Sequence, residues 1–321
     1  TVSLGLSLMT VAVSGQTETS AAASARRTGD LGRHERRAAY LFLLPNLIGF
    51  ITFTSGPVLF SFFLGFAEWQ ILRPIRFAGL NNYTQLFFGD PLFLKVLGNT
   101  AFYTFTAVPF GILCSLGLAL ALNQGIRGQT IYRTMFFMPV VSSMVAVALL
   151  WRWLYNPEFG LVNYFLRSIG IVDPPGWLSD QGWAMPSIVV MSIWKGMGYN
   201  MVLFLAGLQG IPQHLYEAAH VDGANRWERF RHITLPMLSS TTFFVVIMAL
   251  IHSFQVFEQA LVMTEGGPAD ATNTLVLFIY RNAFQYFKMG YAAAAAWVLF
   301  IIVFLLTMIQ VRFQKQWVHY E

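Results

Sequence analysis

The sequence predicts an all-α polytopic membrane protein with six transmembrane helices, and three observations predict it. Of 321 residues, 56% are hydrophobic and only 11% are charged, whereas soluble domains carry roughly 25% charged residues. Mean hydropathy is +0.56, which places the chain in the membrane class before any motif is considered. Six apolar runs recur along it, each near the ~20 residues that a helix needs to cross the hydrocarbon layer.

The six spans follow in order. The first, over 38–67, carries no charge between Arg37 and Glu68. The second, 97–123, is charge-free and holds the single cysteine, Cys114, expected as a small buried hydrophobe. The third, 133–153, is short but long enough to cross. The fourth, 184–208, contains Lys195, and the fifth, 236–262, starts at Pro236, a residue tolerated in a first helical turn. The sixth covers 289–311. Six crossings put both termini on one side. Arg26, Arg27, Arg33, Arg36, Arg37, Arg127, Arg133, Arg226, Arg229, Arg231, Arg312 and Lys315 outnumber Arg73, Arg76, Lys95, Arg152, Arg167, Arg281 and Lys288 on the opposite side by twelve to seven. Basic residues concentrate on the cytoplasmic side, so both termini are expected there.

The N-terminal tail, 1–37, is expected to be cytoplasmic and disordered, because Gln16–Arg37 is rich in Ser, Ala, Thr and charge. Val2–Val13 is apolar but too short to span, and reads as an interfacial piece or as sequence upstream of the true start. On the opposite side, Trp69, Trp177 and Trp183 suit an interfacial belt.

The net charge of +5 raises nucleic acid as a partner, but the basic residues cluster at span ends rather than in a stripe interleaved with aromatics. No Cys or His cluster has metal-ligand spacing. Walker A, GxSxG, HExxH and GxGxxG patterns are all absent from the sequence, so an enzyme or a self-powered pump has no residues to carry it. A secondary transporter would need internal repeats and intramembrane acids. Glu258 is the one acid inside an expected span.

The segment 209–236 is different in kind. It is polar, lies on the side expected to be cytoplasmic, and contains EAAHVDGANRWERFRHITLP. Ala218, Ala219 and Ala224 leave backbone accessible, Gly223 permits the positive φ of a sharp turn, and Asp222 can cap a second short helix. An interfacial amphipathic helix without a partner is the alternative. Glu217-Ala218-Ala219, Asp222-Gly223-Ala224 and Ile233-Thr234-Leu235-Pro236 resemble the EAA loop of ABC importer permeases, with the glycine six residues after the glutamate. Pro139-Val140-Val141-Ser142, Trp151–Gly160, Gly266-Gly267-Pro268 and Gly290-Tyr291-Ala292 resemble the carbohydrate-uptake permeases of the maltose-permease type.

That resemblance implies a type I ABC importer transmembrane domain over 38–321, with the first span somewhat apart. It implies residence in a bacterial or archaeal cytoplasmic membrane. Its implied partners are a second permease, two cytoplasmic ATPase subunits and an extracytoplasmic solute-binding protein, in addition to lipid. ATP and magnesium would be used by the ATPase partners and not bound by this chain. Glu217, Ala218, Ala219, Asp222, Gly223 and Ala224 carry over as the residues that couple to the ATPase. The solute would be a sugar or sugar-like polyol, with glycerol phosphate or another small solute as the alternative.

Polar groups inside spans face cavities or partner helices. Lys195 therefore reads either as a solute contact or as a side chain that snorkels outward or pairs with an acid. His252, Gln255 and Gln259 are spaced to share a face, with Phe254 and Phe257 placed to stack on a sugar ring; the alternative is an inter-helix hydrogen-bonding seam. Alignment to the maltose-permease pattern places a solute path near Ser192, Gly196, Tyr199, His252, Ser253 and Val256, and the shared face adds Gln255. The pattern has Phe-Asn where this chain has His252-Ser253, so the resemblance leaves the sugar open.

Overall fold

The computed structural model describes residues 35–71, 73–125 and 127–317. Residues 1–34 of the expected tail, with Arg26, Arg27 and Arg33, lie outside the described residues. The chain divides into two units, Thr1–Ser61 and Phe62–Glu321.

The first unit contains most of helix α1 (Glu35–Gly65), which is long and apolar enough to cross a membrane. Its turn Ile51–Ser55 is wound wider, with the Gly56 amide reaching back to Ile51 O. Pro57 follows at once, and a proline ring crowds the carbonyl four residues earlier, which a wider turn relieves.

In the second unit, β1 (Ala67–Glu68) pairs antiparallel with β2 (Arg76–Phe77). Buried Asn82 donates to Gly65 O at 3.0 Å and Ala67 O at 2.9 Å, fastening this ribbon to the end of α1. Helix α2 (Pro91–Leu122) begins with Pro91 in its first turn, where the missing N–H has no intrahelical partner to lose, and with Asp90 accepting from the Leu92 amide at 3.0 Å. It forms the spine of the unit. Its buried residues Phe93 and Val96 join one core cluster, Tyr103 a second, and Ala119 and Leu122 a third. Cys114 is exposed, contrary to expectation. Its neighbour Ser115 takes the inward position instead and satisfies its hydroxyl by donating to Gly111 O at 2.6 Å.

The expected third span is not one helix. Helix α3 (Gln129–Val141) and helix α4 (Met144–Leu154) meet at a 99° bend. Pro139 sits in the last turn of α3, and Ser142 and Ser143 are extended, with ψ of 147° and 137°. Hydropathy sees only the composition of such a segment and is blind to the break. After α5 (Leu161–Ser168), helix α6 (Gln181–Gln209) is continuous and brackets the expected fourth span. It packs along α2 and crosses α3 at Gly198. A Cβ there would overlap the Phe136 carbonyl oxygen.

Helix α7 (Gln213–Val221) leads through a turn into α8 (Arg226–Met237), which bends by 64° into α9 (Ser239–Phe254). The expected fifth span, 236–262, is therefore broken twice. Leu238 (φ −81°, ψ −1°) marks the bend, and α9 stops at Phe254, beyond which Gln255 and Phe257 leave helical geometry. The loosened Val256 carbonyl is satisfied by the Thr274 hydroxyl at 2.8 Å. Helix α10 (Glu258–Thr264) follows, then a loop held to α2 by Lys95 and Asn99, which donate to Ala269 O at 2.6 Å and Asp270 O at 2.7 Å. Helices α11 (Leu275–Tyr280) and α12 (Met289–Trp317) complete the chain. Among the described residues, four helices are long and apolar enough to cross a membrane, and the two bent pairs raise the number of crossings to as many as six.

Candidate functional site

A cavity of about 740 Å³ opens between α2, the α3–α4 bend, α6, and the α9–α10 break. That volume lies within the range of small-ligand sites, roughly 300–1,000 Å³. Ser192, Gly196, Tyr199, His252, Ser253, Gln255 and Val256 all line it, so seven residues from two separate stretches of sequence meet at one wall. Tyr199, His252 and Gln255 are exposed, whereas Ser253 is buried and donates to Leu250 O at 2.9 Å. Ser253 therefore contributes packing more than a free hydroxyl.

All three residues of the expected stripe, His252, Gln255 and Gln259, line the cavity, but the break at 255–257 takes Gln259 off the helix that carries His252 and gives it the inter-helix role of the alternative reading. Gln259 turns inward, is buried, and donates to the Tyr103 hydroxyl at 3.3 Å and the Ser192 hydroxyl at 3.5 Å, tying α10 to α2 and α6. Of the two phenylalanines expected to stack on solute, Phe254 is buried away from the cavity. Phe257 does line the cavity, with its ring 5.1 Å from that of Tyr280.

Lys195 takes a role that neither sequence reading anticipated. Its ammonium donates to Ser142 O at 2.9 Å, Pro139 O at 3.1 Å and Val140 O at 3.4 Å. These carbonyls end α3, where helix C-termini leave acceptors unpaired and carry partial negative charge. The lysine thus holds the bend that shapes the cavity. Sequence reasoning also missed Tyr103, Asn200 and Glu258 on the cavity wall. Each is a polar group inside an apolar stretch, the signal that selected their neighbours.

The segment 209–236 folds as two short helices around a turn. Gly223 has φ +81°, the left-handed conformation that glycine adopts without strain. Asp222 ends α7 rather than starting α8. The cap is Asn225, whose Oδ1 accepts from the Trp227 and Glu228 amides at 2.9 and 3.0 Å, while Glu228 accepts from the Asn225 amide at 2.7 Å. This reciprocal capping box was legible as Asn-x-x-Glu and outranks Asp222 because it satisfies donors at both ends. Leu215 and Tyr216 turn inward against the cluster formed by α2, α6 and α9, and Tyr216 shares a 3.0 Å hydrogen bond with Thr234. Glu217, Ala218, Asp222 and Gly223 face outward, with Val221 and Trp227 exposed beside them; Ala219 and Ala224 are half-buried. The segment and the loop at 265–274 lie at opposite ends of α2.

Residues 107–319 match the family described as binding-protein-dependent transport system inner membrane component. The chain is similar to the lactose transport system permease protein LacF of Rhizobium radiobacter, at 37% identity over 84% of this chain and 92% of LacF. It is similar to the sn-glycerol-3-phosphate transport system permease protein UgpA of Pectobacterium atrosepticum, at 35% identity over 88% of this chain and 95% of UgpA. Among solved structures, it resembles a bacterial ABC transporter involved in the import of the acidic polysaccharide alginate, with 28% identity, a TM-score of 0.75, and coverage of 87% of this chain and 96% of that one.

Proposed function

The chain belongs to the family of binding-protein-dependent transport system inner membrane components, the permeases of ABC importers, and on that basis we propose that it forms one half of the membrane path of an ATP-driven sugar importer. Each bent helix pair then counts as one crossing, giving six spans with both termini cytoplasmic. The solute passes along the cavity between α6 and the α9–α10 break. A second permease closes the open side, an extracytoplasmic binding protein delivers the sugar or polyol, and one of two ATPase subunits docks on Glu217–Ala224 while the other docks on the second permease. The convergence of Ser192, Gly196, Tyr199, His252, Gln255 and Val256 on one cavity carries this reading.

In this mechanism α7 is the coupling element. Its outward residues meet the ATPase, and its inward Leu215 and Tyr216 pass the displacement to α6 and α8. ATP-driven closure of the ATPase pair then favours one of two permease arrangements by differential contact, as any ligand-driven switch requires. The test is Gly223→Pro, since proline cannot adopt a φ of +81°. The variant transporter should reach the membrane and hydrolyse ATP, yet fail to accumulate solute; uptake at the wild-type rate would refute the coupling role. UgpA similarity keeps a second reading in view, a phosphorylated polyol as solute.

A further inference from the structure

The charge distribution of the cavity bears on the solute class. Three ionisable side chains other than tyrosines line it: Lys195, His252 and Glu258. A cation with donors to spare would favour an anionic solute, and among the described residues Lys195 is the only permanent cation on the wall. A lysine ammonium has three N–H donors. Three carbonyls, those of Pro139, Val140 and Ser142, already stand within 3.4 Å of it. Its donors are therefore occupied, and its charge is opposed by the negative end of α3.

Glu258 is in the opposite situation. It is exposed on the cavity wall, in the first turn of α10, within electrostatic reach of Lys195. Among the described residues its carboxylate accepts no hydrogen bond and joins no ion pair, the Arg281–Asp270 contact being elsewhere. An ionised carboxylate is an acceptor only, with two oxygens open to donors. It suits vicinal hydroxyls and repels phosphate and carboxylate. Tyr199, Asn200, Gln255 and Ser192 add neutral donors and acceptors.

Resting on the importer reading above, we infer that this cavity is built for an uncharged saccharide whose hydroxyls donate to Glu258, and that it rejects phosphate- and carboxylate-bearing solutes. In this respect the chain departs from its relatives that carry glycerol phosphate or alginate in their names.

The experiment uses the complete transporter with its binding protein in proteoliposomes. The probes are a mixed panel of lactose, maltose, raffinose and arabinobiose together with sn-glycerol 3-phosphate and a galacturonate disaccharide. Uptake of the uncharged members is expected to exceed that of the anionic members by a wide margin. Glu258→Gln should raise the concentration for half-maximal uptake about tenfold, the scale of one hydrogen bond to a charged acceptor. It should also lower the ratio of uncharged to anionic uptake, a ratio that loss of folded protein cannot alter. Efficient uptake of an anion by the wild type, or an unchanged ratio in Glu258→Gln, overturns the inference and leaves the importer reading standing. Failure to take up any member, charged or uncharged, takes down both.

Discussion

Replacing Gly198 by alanine tests the packing that frames the cavity. A Cβ at this position would overlap the Phe136 carbonyl oxygen and stand 2.9 Å from its carbon and 3.1 Å from Phe137 Cα. All three atoms are backbone, so no side-chain rotation relieves the clash and α3 must move off α6. Forcing extra atoms into a packed interface costs about 1–3 kcal/mol. Against this, removing a glycine from a helix interior returns about 1 kcal/mol. The net expectation is a loss of up to about 2 kcal/mol. Gly196, one half-turn away, is the control, because a Cβ there would meet nothing within 4 Å. Gly196→Ala should be neutral or stabilising by up to about 1 kcal/mol. The assay is the apparent thermal midpoint of the purified transporter. At roughly 2–4 °C per kcal/mol for a domain of this size, Gly198→Ala should melt several degrees below Gly196→Ala. Equal midpoints would refute the close approach of α3 and α6.

Two further outcomes follow from the same geometry. Lys195→Met removes three bonds to the end of α3; at about 0.6 kcal/mol per interhelical bond in membranes, the loss is about 2 kcal/mol, read as a lower thermal midpoint, and Lys195→Arg should restore only part of it because a planar fork cannot match three converging carbonyls. Asn225→Ala should destabilise the start of α8 by about 1 kcal/mol, seen as faster amide exchange at Trp227 and Glu228, whereas Asp222→Ala should leave those amides unchanged because its side chain caps neither helix.

Composition and charge were enough to read the membrane class, the continuous helices and the polar segment between α6 and α9, because each is a property of a window of residues. Gly223 was legible for the same local reason: a glycine between two short helical patterns marks a positive φ. What escaped was every break inside an apolar run. Ser142-Ser143 and Gln255–Phe257 differ little in hydropathy from residues that continue a helix, and their breaks are stabilised from far along the chain by Lys195 and Thr274. Gln259 shows the consequence. Its spacing from His252 fits one helical face, but the break at 255–257 redirects it to Tyr103, 156 residues away.

Those breaks also explain how polar groups can gather in a cavity between apolar helices. Non-helical backbone within a membrane is tolerated only where it is buried in protein or lines a water-filled space, because lipid offers no hydrogen bonds. The ends of α3 and α9 meet that condition, since both border the cavity and their carbonyls find Lys195 and Thr274. The α3 end is held by a helix that leads to the coupling segment: α6 runs from Gly196 to Gln209, about 20 Å at about 1.5 Å per residue, and ends beside Leu215 and Tyr216 of α7. Under the proposed function, a displacement of α7 moves α6 as a rigid body while α3 stays latched to it through Lys195. The cavity would then change shape at the α9–α10 break, where the Val256 carbonyl is held from outside its own segment by a threonine hydroxyl alone among the described residues.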